Sequence, residues 1–345
     1  ITTRSEMSTT HMADGYGRAG GRVGAALVVP GPGVYNAAGG LSTAYSVSSP
    51  VLLIAGQTPR ATIGSNSGAL HEVNDQKEIT KPITKWQKQV LRPHEVPEGI
   101  HEAFRQAQSD RPSPVHFELP PETMVEREDV TLLEPAQITR RVPERSVIER
   151  AAKEIAAARK PVIYAGGGIA RSNAEEELVA FAEAAGIAVM TSAGGKGTMS
   201  EKHPLALGGS LGPGGQLKEY IEDADVIIGI GTRFSMRNPA GSGARLIHID
   251  ADPAMIGHVH QNTLGLVGDV KATLPVLARA LEAAGGGTWN SPVNEVADIQ
   301  RRLAESEEEK NRPQEDYLQA LQAGVPSDAV TIFGMTQLGY YSRPR

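Results

Sequence analysis

Short apolar runs closed by Gly or Pro recur along the chain, with stretches of helical spacing between them. Ile1-Thr2-Thr3 reads as a strand end, and Met7–Arg18 as the helix after it. Val23–Val29 is an apolar run ending in Pro30-Gly31-Pro32-Gly33, the pattern of a buried strand and a tight turn. Asn36–Val47 carries Ala37, Leu41, Ala44 and Tyr45 on one helical face, and Pro50–Ala55 is a second buried strand. Glu98–Ser109 is a helix with Ile100, Ala103, Phe104 and Ala107 in register, and Val115–Leu119 is a strand stopped by Pro120-Pro121. Residues 122–142 are charged, lack periodicity and read as a linker.

A second series starts near Pro143. It runs helix Ser146–Ala158, strand Pro161–Ala165, turn Gly166-Gly167-Gly168, helix Ala174–Ala185 and strand Ile187–Thr191. Strands Asp225–Gly231 and Arg245–Asp250 and helix Val270–Ala284 complete it. Strands alternating with helices predict an α/β chain of two doubly wound parallel-sheet domains. From Gly285 onward the pattern weakens. Glu305–Asn311 is a charge run, read as a solvated face or a linker, and Val330–Phe333 reads as one more strand.

Composition narrows the function classes. A length of 345 residues exceeds one ordinary core, consistent with two domains. A hydrophobic fraction of 40% and a charged fraction of 21% exclude disorder over the whole chain. The net charge of −6, with no basic run, argues against nucleic acid as a partner. The absence of cysteine excludes a disulfide framework, a thiolate metal site and a Cys nucleophile, and is compatible with the expected cytoplasmic location. No apolar stretch approaches the length of a membrane-spanning helix, so no membrane partner is expected.

Several residues stand where chemistry could occur. Glu6 lies at a strand-to-helix turn, which can be the edge of a ligand crevice, although taken alone it reads first as a surface or capping residue. Gly31-Pro32-Gly33 permits close backbone approach to a ligand, or is an ordinary tight turn. Gln57 and His71-Glu72 offer polar groups on loops, whereas His11, His101 and His116 fall in predicted regular elements and read as structural. No His, Asp and Glu spacing suggests a metal site made by this chain. Gly166-Gly167-Gly168 follows a strand without completing the dinucleotide fingerprint, and Asp250 ends a strand where an acid can hold a ribose.

The order of these motifs carries more than any one of them. Glu6, Met12-Ala13-Asp14-Gly15-Tyr16-Gly17-Arg18, Val28-Val29-Pro30-Gly31-Pro32-Gly33, Leu41-Ser42-Thr43-Ala44-Tyr45 and Ser49–Gln57 follow one another at set spacings. Ile83-Thr84-Lys85-Trp86, Arg111–Val115, Lys196-Gly197, His203-Pro204-Leu205 and Ile247-His248-Ile249-Asp250 continue the series over nearly the whole chain. The series resembles the thiamine diphosphate enzymes, in their acetolactate synthase-like branch.

The resemblance implies a pyrimidine-binding domain over residues 1–134, lacking its first strand-helix unit, and a central dinucleotide-binding-like domain over 143–284. It implies that 285–345 is a linker plus the first strand of a diphosphate-binding domain, whose Gly-Asp-Gly motif is not found; Gly268-Asp269-Val270 does not supply it. Glu6 takes the place of the catalytic glutamate, where a carboxylate on N1′ of the aminopyrimidine favours the imino tautomer that deprotonates the thiazolium ring. Gly31, Gly33 and Asn36 would bind the cofactor, and Gln57 and His71 would line the substrate pocket. Val34-Tyr35 departs from the usual Ala-Thr, which bears on pocket shape.

Some members also bind FAD. Here Gly166, Gly167, Arg233, Arg237 and Asp250 match that site, while Ser210-Leu211-Gly212-Pro213-Gly214 departs from it. The implied enzyme is a 2-oxo acid decarboxylase or carboligase using thiamine diphosphate and Mg²⁺, homodimeric or homotetrameric, with these 345 residues inactive alone. The alternative is a non-catalytic nucleotide-binding or assembly module built on the central domain. A nicotinamide-dependent oxidoreductase is disfavoured, because neither domain has the full glycine fingerprint.

Overall fold

The computed structural model describes all residues except 210–215, 235–242, 288, 311–312, 335 and 343–345. The chain forms two units, Ile1–Arg140 and Arg141–Arg345.

The first unit runs α1 (Glu6–Gly20), β1 (Gly24–Val28), α2 (Pro32–Ser46), β2 (Val51–Gly56), α3 (Gln76–Thr80), β3 (Trp86–Gln89), α4 (Val96–Gln108), β4 (Val115–Leu119) and α5 (Pro121–Val125). Its four strands are parallel in the order β1-β2-β4-β3. β2 is apolar at nearly every position because both its faces are covered. Leu53 and Ala55 pack with Ala13, Val34, Ala37 and Leu41 from α1 and α2. Leu52 packs on the opposite face with Ala103, Ala107 and Phe117. Thr10 fixes the α1–α2 crossing, donating its hydroxyl to the Ala37 carbonyl at 2.9 Å beside Gly40, where a Cβ would lie 2.3 Å from that hydroxyl.

Two expectations are corrected here. Val23–Val29 was expected as a buried strand, but β1 is a sheet edge with Leu27 68% exposed. No helix of the described residues covers that face. β3 was not anticipated. Its residues Trp86-Gln87-Lys88-Gln89 are mostly polar because it forms the other edge.

The second unit runs α6 (Arg145–Ala156), β5 (Pro161–Ala165), α7 (Gly168–Ser172), α8 (Glu175–Ala185), β6 (Ala188–Thr191), β7 (Ala206–Gly209), α9 (Gln216–Glu222), β8 (Val226–Ile230), β9 (Arg245–Asp250), β10 (Thr263–Val267), α10 (Val270–Ala283), α11 (Val293–Lys310), α12 (Gln314–Gly324) and α13 (Gln337–Tyr341). Six parallel strands lie in the order β10-β9-β8-β5-β6-β7. Alternate residues face opposite sides. Ile163, Ile228 and Ile230 pack with Ile155, Leu178, Phe181, Leu274 and Leu277, and Val162, Tyr164 and Ile227 pack with Leu217, Ile221, Val296 and Ile299. Asp269 caps α10, accepting from the Ala272 N–H at 3.0 Å and the Ser172 hydroxyl at 2.8 Å, so Gly268-Asp269-Val270 is a helix start.

The stretch from Gly285 differs from expectation. Its α11 packs Val296 and Ile299 onto the second sheet, so this part is no free linker. Of the charge run Glu305–Asn311, residues through Lys310 continue α11, and Asn311 lies outside the described residues. Val330–Phe333 forms no strand. These residues have no ladder partner among the described residues, and Val330 and Ile332 are 88% and 90% exposed. A strand exists only through its ladder, whatever the propensity of its residues.

Candidate active site

Ligands of parallel α/β sheets sit beyond the carboxyl ends of the strands. In the first unit that edge gathers Gly31 after β1, Gly56-Gln57 at the end of β2, Glu118 near the end of β4 and Gln89 at the end of β3. α2 starts there, with Gly31 as its N-cap at φ +57° and Pro32 at its first position. The positive φ and a close neighbour both demand glycine, since a Cβ on Gly31 would lie 2.3 Å from the His71 carbonyl oxygen.

Glu6 opens α1, where the helix dipole favours a carboxylate. Asn36, near the start of α2, donates from Nδ2 to Glu6 Oε2 at 3.2 Å. Gly33 lies over the pair, and a Cβ there would meet Val29 Cγ2 at 2.7 Å and Glu6 Cγ at 3.7 Å. Thus Glu6, Gly33 and Asn36, separated by up to 30 residues, meet at one point, and Gly31 opens the helix that brings them together.

Gln57 and His71 are placed differently. Gln57 Oε1 accepts from the Thr58 N–H at 2.8 Å, and its Nε2 donates to Glu118 Oε1 at 3.5 Å. His71 takes a positive φ of 68° and presents its backbone carbonyl to Gly31. The loop before it is held by Glu72, whose carboxylate accepts from the N–H groups of Ser67, Gly68 and Ala69 at 2.7–3.2 Å. Partial desolvation raises the Glu72 pKa, but these donors outweigh it and hold the carboxyl below its ordinary range.

A buried polar network behind the turn has no counterpart in the sequence reading. Gln76, only 1% exposed, joins Gly31, Gly56 and Glu118. Burial pushes the Glu118 carboxyl up, opposed by the Gln76 hydrogen bond and by Lys77. His116 is also buried. Its Nδ1 pairs with the Thr80 hydroxyl at 2.7 Å, its Nε2 has no hydrogen-bond partner, and burial lowers its pKa to about 4. No motif marks a glutamine whose role is to join strand ends, so sequence pattern alone offers no signal for Gln76.

In the second unit the corresponding edge is built from backbone. The strand order reverses between β5 and β8, and there Gly166 N donates to the Ile230 carbonyl at 2.8 Å and Gly168 N to the Gly231 carbonyl at 2.9 Å. A Cβ on Gly166 would lie 2.2 Å from the Gly231 oxygen, and one on Gly167 would lie 3.0 Å from the Gly194 oxygen. Asp250 is buried at the end of β9 and accepts from the Asp252 N–H at 2.9 Å. Arg233 is half-buried after β8, whereas Arg237 and residues 210–214 lie outside the described residues. The glycines are therefore accounted for by strand-end packing.

The pyrimidine side of thiamine diphosphate fits the first site. A carboxylate at a helix start is oriented by an amide, under a glycine whose missing Cβ leaves room beside it. Among the described residues, no group of three His, Asp or Glu side chains is arranged to hold a metal.

The comparisons with known proteins bear on the family and the fold. Residues 1–79 match the family model for the thiamine pyrophosphate enzyme N-terminal TPP binding domain, and residues 148–277 match that for the central domain. A probable acetolactate synthase large subunit of Methanocaldococcus jannaschii is 37% identical over 330 residues, 91% of this chain and 55% of that protein. A probable 2-ketoarginine decarboxylase of Pseudomonas aeruginosa is 32% identical over 99% of this chain and 61% of its own length. The crystal structure of benzoylformate decarboxylase from Polynucleobacter necessarius superposes with a TM-score of 0.72 at 28% identity, covering 80% of this chain and 53% of that one. The chain thus spans between about half and three-fifths of the length of these relatives. With both domain models matched in order and such relatives along most of its length, the chain belongs to the thiamine pyrophosphate enzymes, in their acetolactate synthase-like branch.

Proposed function

We propose that residues 1–140 form the pyrimidine-side half of the active site of a thiamine diphosphate-dependent 2-oxo acid decarboxylase or carboligase. The observation that carries this is the Glu6–Asn36 hydrogen bond beneath Gly33. Held there by Glu6, Gly33 and Asn36, the cofactor would supply a nucleophilic carbon and an electron sink for decarboxylation of a 2-oxo acid. The chain's own part is to hold a proton. Asn36 occupies Oε2 of Glu6, and Oε1 has no partner among the described residues, so it can share a proton with the ring nitrogen N1′. Gly33 keeps a side chain out of the space next to Glu6, and Gly31 allows the turn that opens α2. Gln57 and His71 belong to the loops bordering it and are proposed to face the substrate.

Glu6→Gln tests the proposal. It keeps size and removes the carboxylate, and in active protein containing these residues turnover of the 2-oxo acid substrate should fall by about 10²-fold or more with folding retained. Turnover within about tenfold of the parent would contradict it. Mg²⁺ and the diphosphate are assigned to a domain other than these two. The 345 residues alone are therefore proposed to bind the cofactor weakly and not turn over, and tight binding in isothermal titration with thiamine diphosphate and Mg²⁺ would refute this. The proposal includes a cytoplasmic homo-oligomer. Flavin binding by the second unit is a separate reading, favoured by Arg233 and Asp250 near the carboxyl ends of β8 and β9. Absorbance at about 450 nm in the purified protein tests it.

A further inference from the structure

One buried side chain ties three strand ends of the first sheet together. Gln76 Oε1 accepts from the Gly31 N–H at 2.7 Å, and Nε2 donates to the Gly56 carbonyl and to Glu118 Oε2, both at 2.9 Å. The amide has only one workable orientation. Turned over, its NH₂ would face the Gly31 N–H and its oxygen would face two acceptors. Glu118 also accepts from Gln89 Nε2 at 2.6 Å, so β3 joins the same network. Lys77 Nζ lies 3.8 Å from Glu118 Oε1, and His116 Nε2 lies 3.8 Å from Oε2.

The Gly31 N–H is the point at which this network meets the candidate site. Gly31 is the N-cap of α2, and Val34 and Tyr35 donate back to its carbonyl at 3.0 and 3.1 Å. The direction in which α2 leaves the sheet therefore depends on where Gly31 is held, and α2 carries Asn36 to Glu6. We infer that Gln76, locked in orientation by Glu118, is the positioning residue that sets the Gly31 turn and thereby the contact of Asn36 with Glu6. For its role in catalysis, this rests on the reading of Glu6 given above.

The test compares Gln76→Met, Gln76→Glu and the swap Gln76→Glu/Glu118→Gln in the full chain, by amide hydrogen exchange. Gln76→Met leaves the buried Gly31 N–H without an acceptor. Exchange of the 31–36 amides should rise about tenfold or more, while the buried α4 amides at 103–107 stay within about threefold. Gln76→Glu sets two carboxylates against each other, loosening 31–36 at neutral pH and tightening it again as acid supplies a shared proton. The swap restores a donor between positions 76 and 118 while leaving the Gly56 carbonyl without its donor, so exchange should fall at least about threefold below that of Gln76→Glu alone, part of the way back to the parent. Equal loosening across the whole unit, or a swap no better than Gln76→Glu alone, would overturn the inference. Should Gln76→Met not fold, the comparison of the swap with Gln76→Glu decides.

Turnover separates this inference from the one it rests on. In active protein containing these residues, Gln76→Met should lower kcat for the 2-oxo acid substrate about tenfold with KM within about threefold. Unchanged kcat with a loosened turn would overturn the positioning role. Turnover that survives Glu6→Gln would remove the Glu6 reading while leaving the exchange pattern intact.

Discussion

At the carboxyl end of β1 the chain turns through Gly31, whose N–H is taken by the side chain of Gln76. At the carboxyl end of β5 it turns through Gly166 and Gly168, whose N–H groups are taken by the main chain of Ile230 and Gly231. Both turns lie where a parallel sheet offers a crevice, and both need glycine because backbone comes within contact distance. The difference is what fills the space. In the second unit backbone meets backbone, which makes a tight strand end and leaves little to do chemistry. In the first unit the turn is held from behind by polar side chains, and a carboxylate with one oxygen unpartnered among the described residues stands beside it. A glycine-rich turn after a strand is therefore no guide to function until its neighbours are known.

The largest effects should come from breaking the two turns in parallel. Gly31→Ala and Gly231→Ala each force a side chain onto a positive φ, with the Cβ at 2.3 Å from the His71 oxygen and 2.7 Å from the Gly168 Cα respectively. Each should cost roughly 2–4 kcal/mol in denaturant unfolding. Only Gly31→Ala should also abolish turnover in protein that remains folded. Equal turnover losses for the two, corrected for folded fraction, would erase the distinction between the turns.

A pH effect of similar size sharpens the contrast between polar and apolar support. The folded pKa of His116 is lowered from 6.5 to about 4, so the unfolded chain binds more protons across that window. Its contribution to stability is present above about pH 6.5 and is lost as pH falls to 4, up to about 3 kcal/mol. Glu118 has the opposite sign. Its raised carboxyl makes folding less favourable as pH climbs from the unfolded value of 4.5 through the folded one. His116→Gln should flatten the loss on acidification, and an unchanged acid limb would show that His116 takes up its proton as readily in the folded chain as in the unfolded one. Glu118→Gln should remove the opposing slope.

The smallest effect is expected at Asn36. Asn36→Ala deletes one hydrogen bond to Glu6 without touching the core, and should lower turnover about tenfold while unfolding shifts by under about 0.5 kcal/mol. A stability loss larger than that would place Asn36 in the fold's support.

These residues also mark where sequence pattern is sufficient. Pro161–Ala165 and Arg245–Asp250 lie where their apolar runs predict, because a strand covered on both faces needs apolar residues almost throughout. Trp86–Gln89 is a strand without such a run, because an edge needs less burial, and Val330–Phe333 has the run without a partner strand. In the site, Glu6, Gly31, Gly33 and Asn36 are legible as an ordered series, and the structure brings them together around the start of α2. Gln76 and Glu118 are not legible. They are 42 residues apart, and their roles come from burial between strand ends.

The central claim is that Glu6 activates a cofactor bound beside it. The most direct measurement is the rate at which the thiazolium C2 proton of thiamine diphosphate exchanges with deuterated water, in active protein containing these residues and in its Glu6→Gln form. A fall of about 10²-fold or more in the variant, with cofactor affinity within about tenfold, is predicted. An exchange rate equal to the parent's would contradict the account.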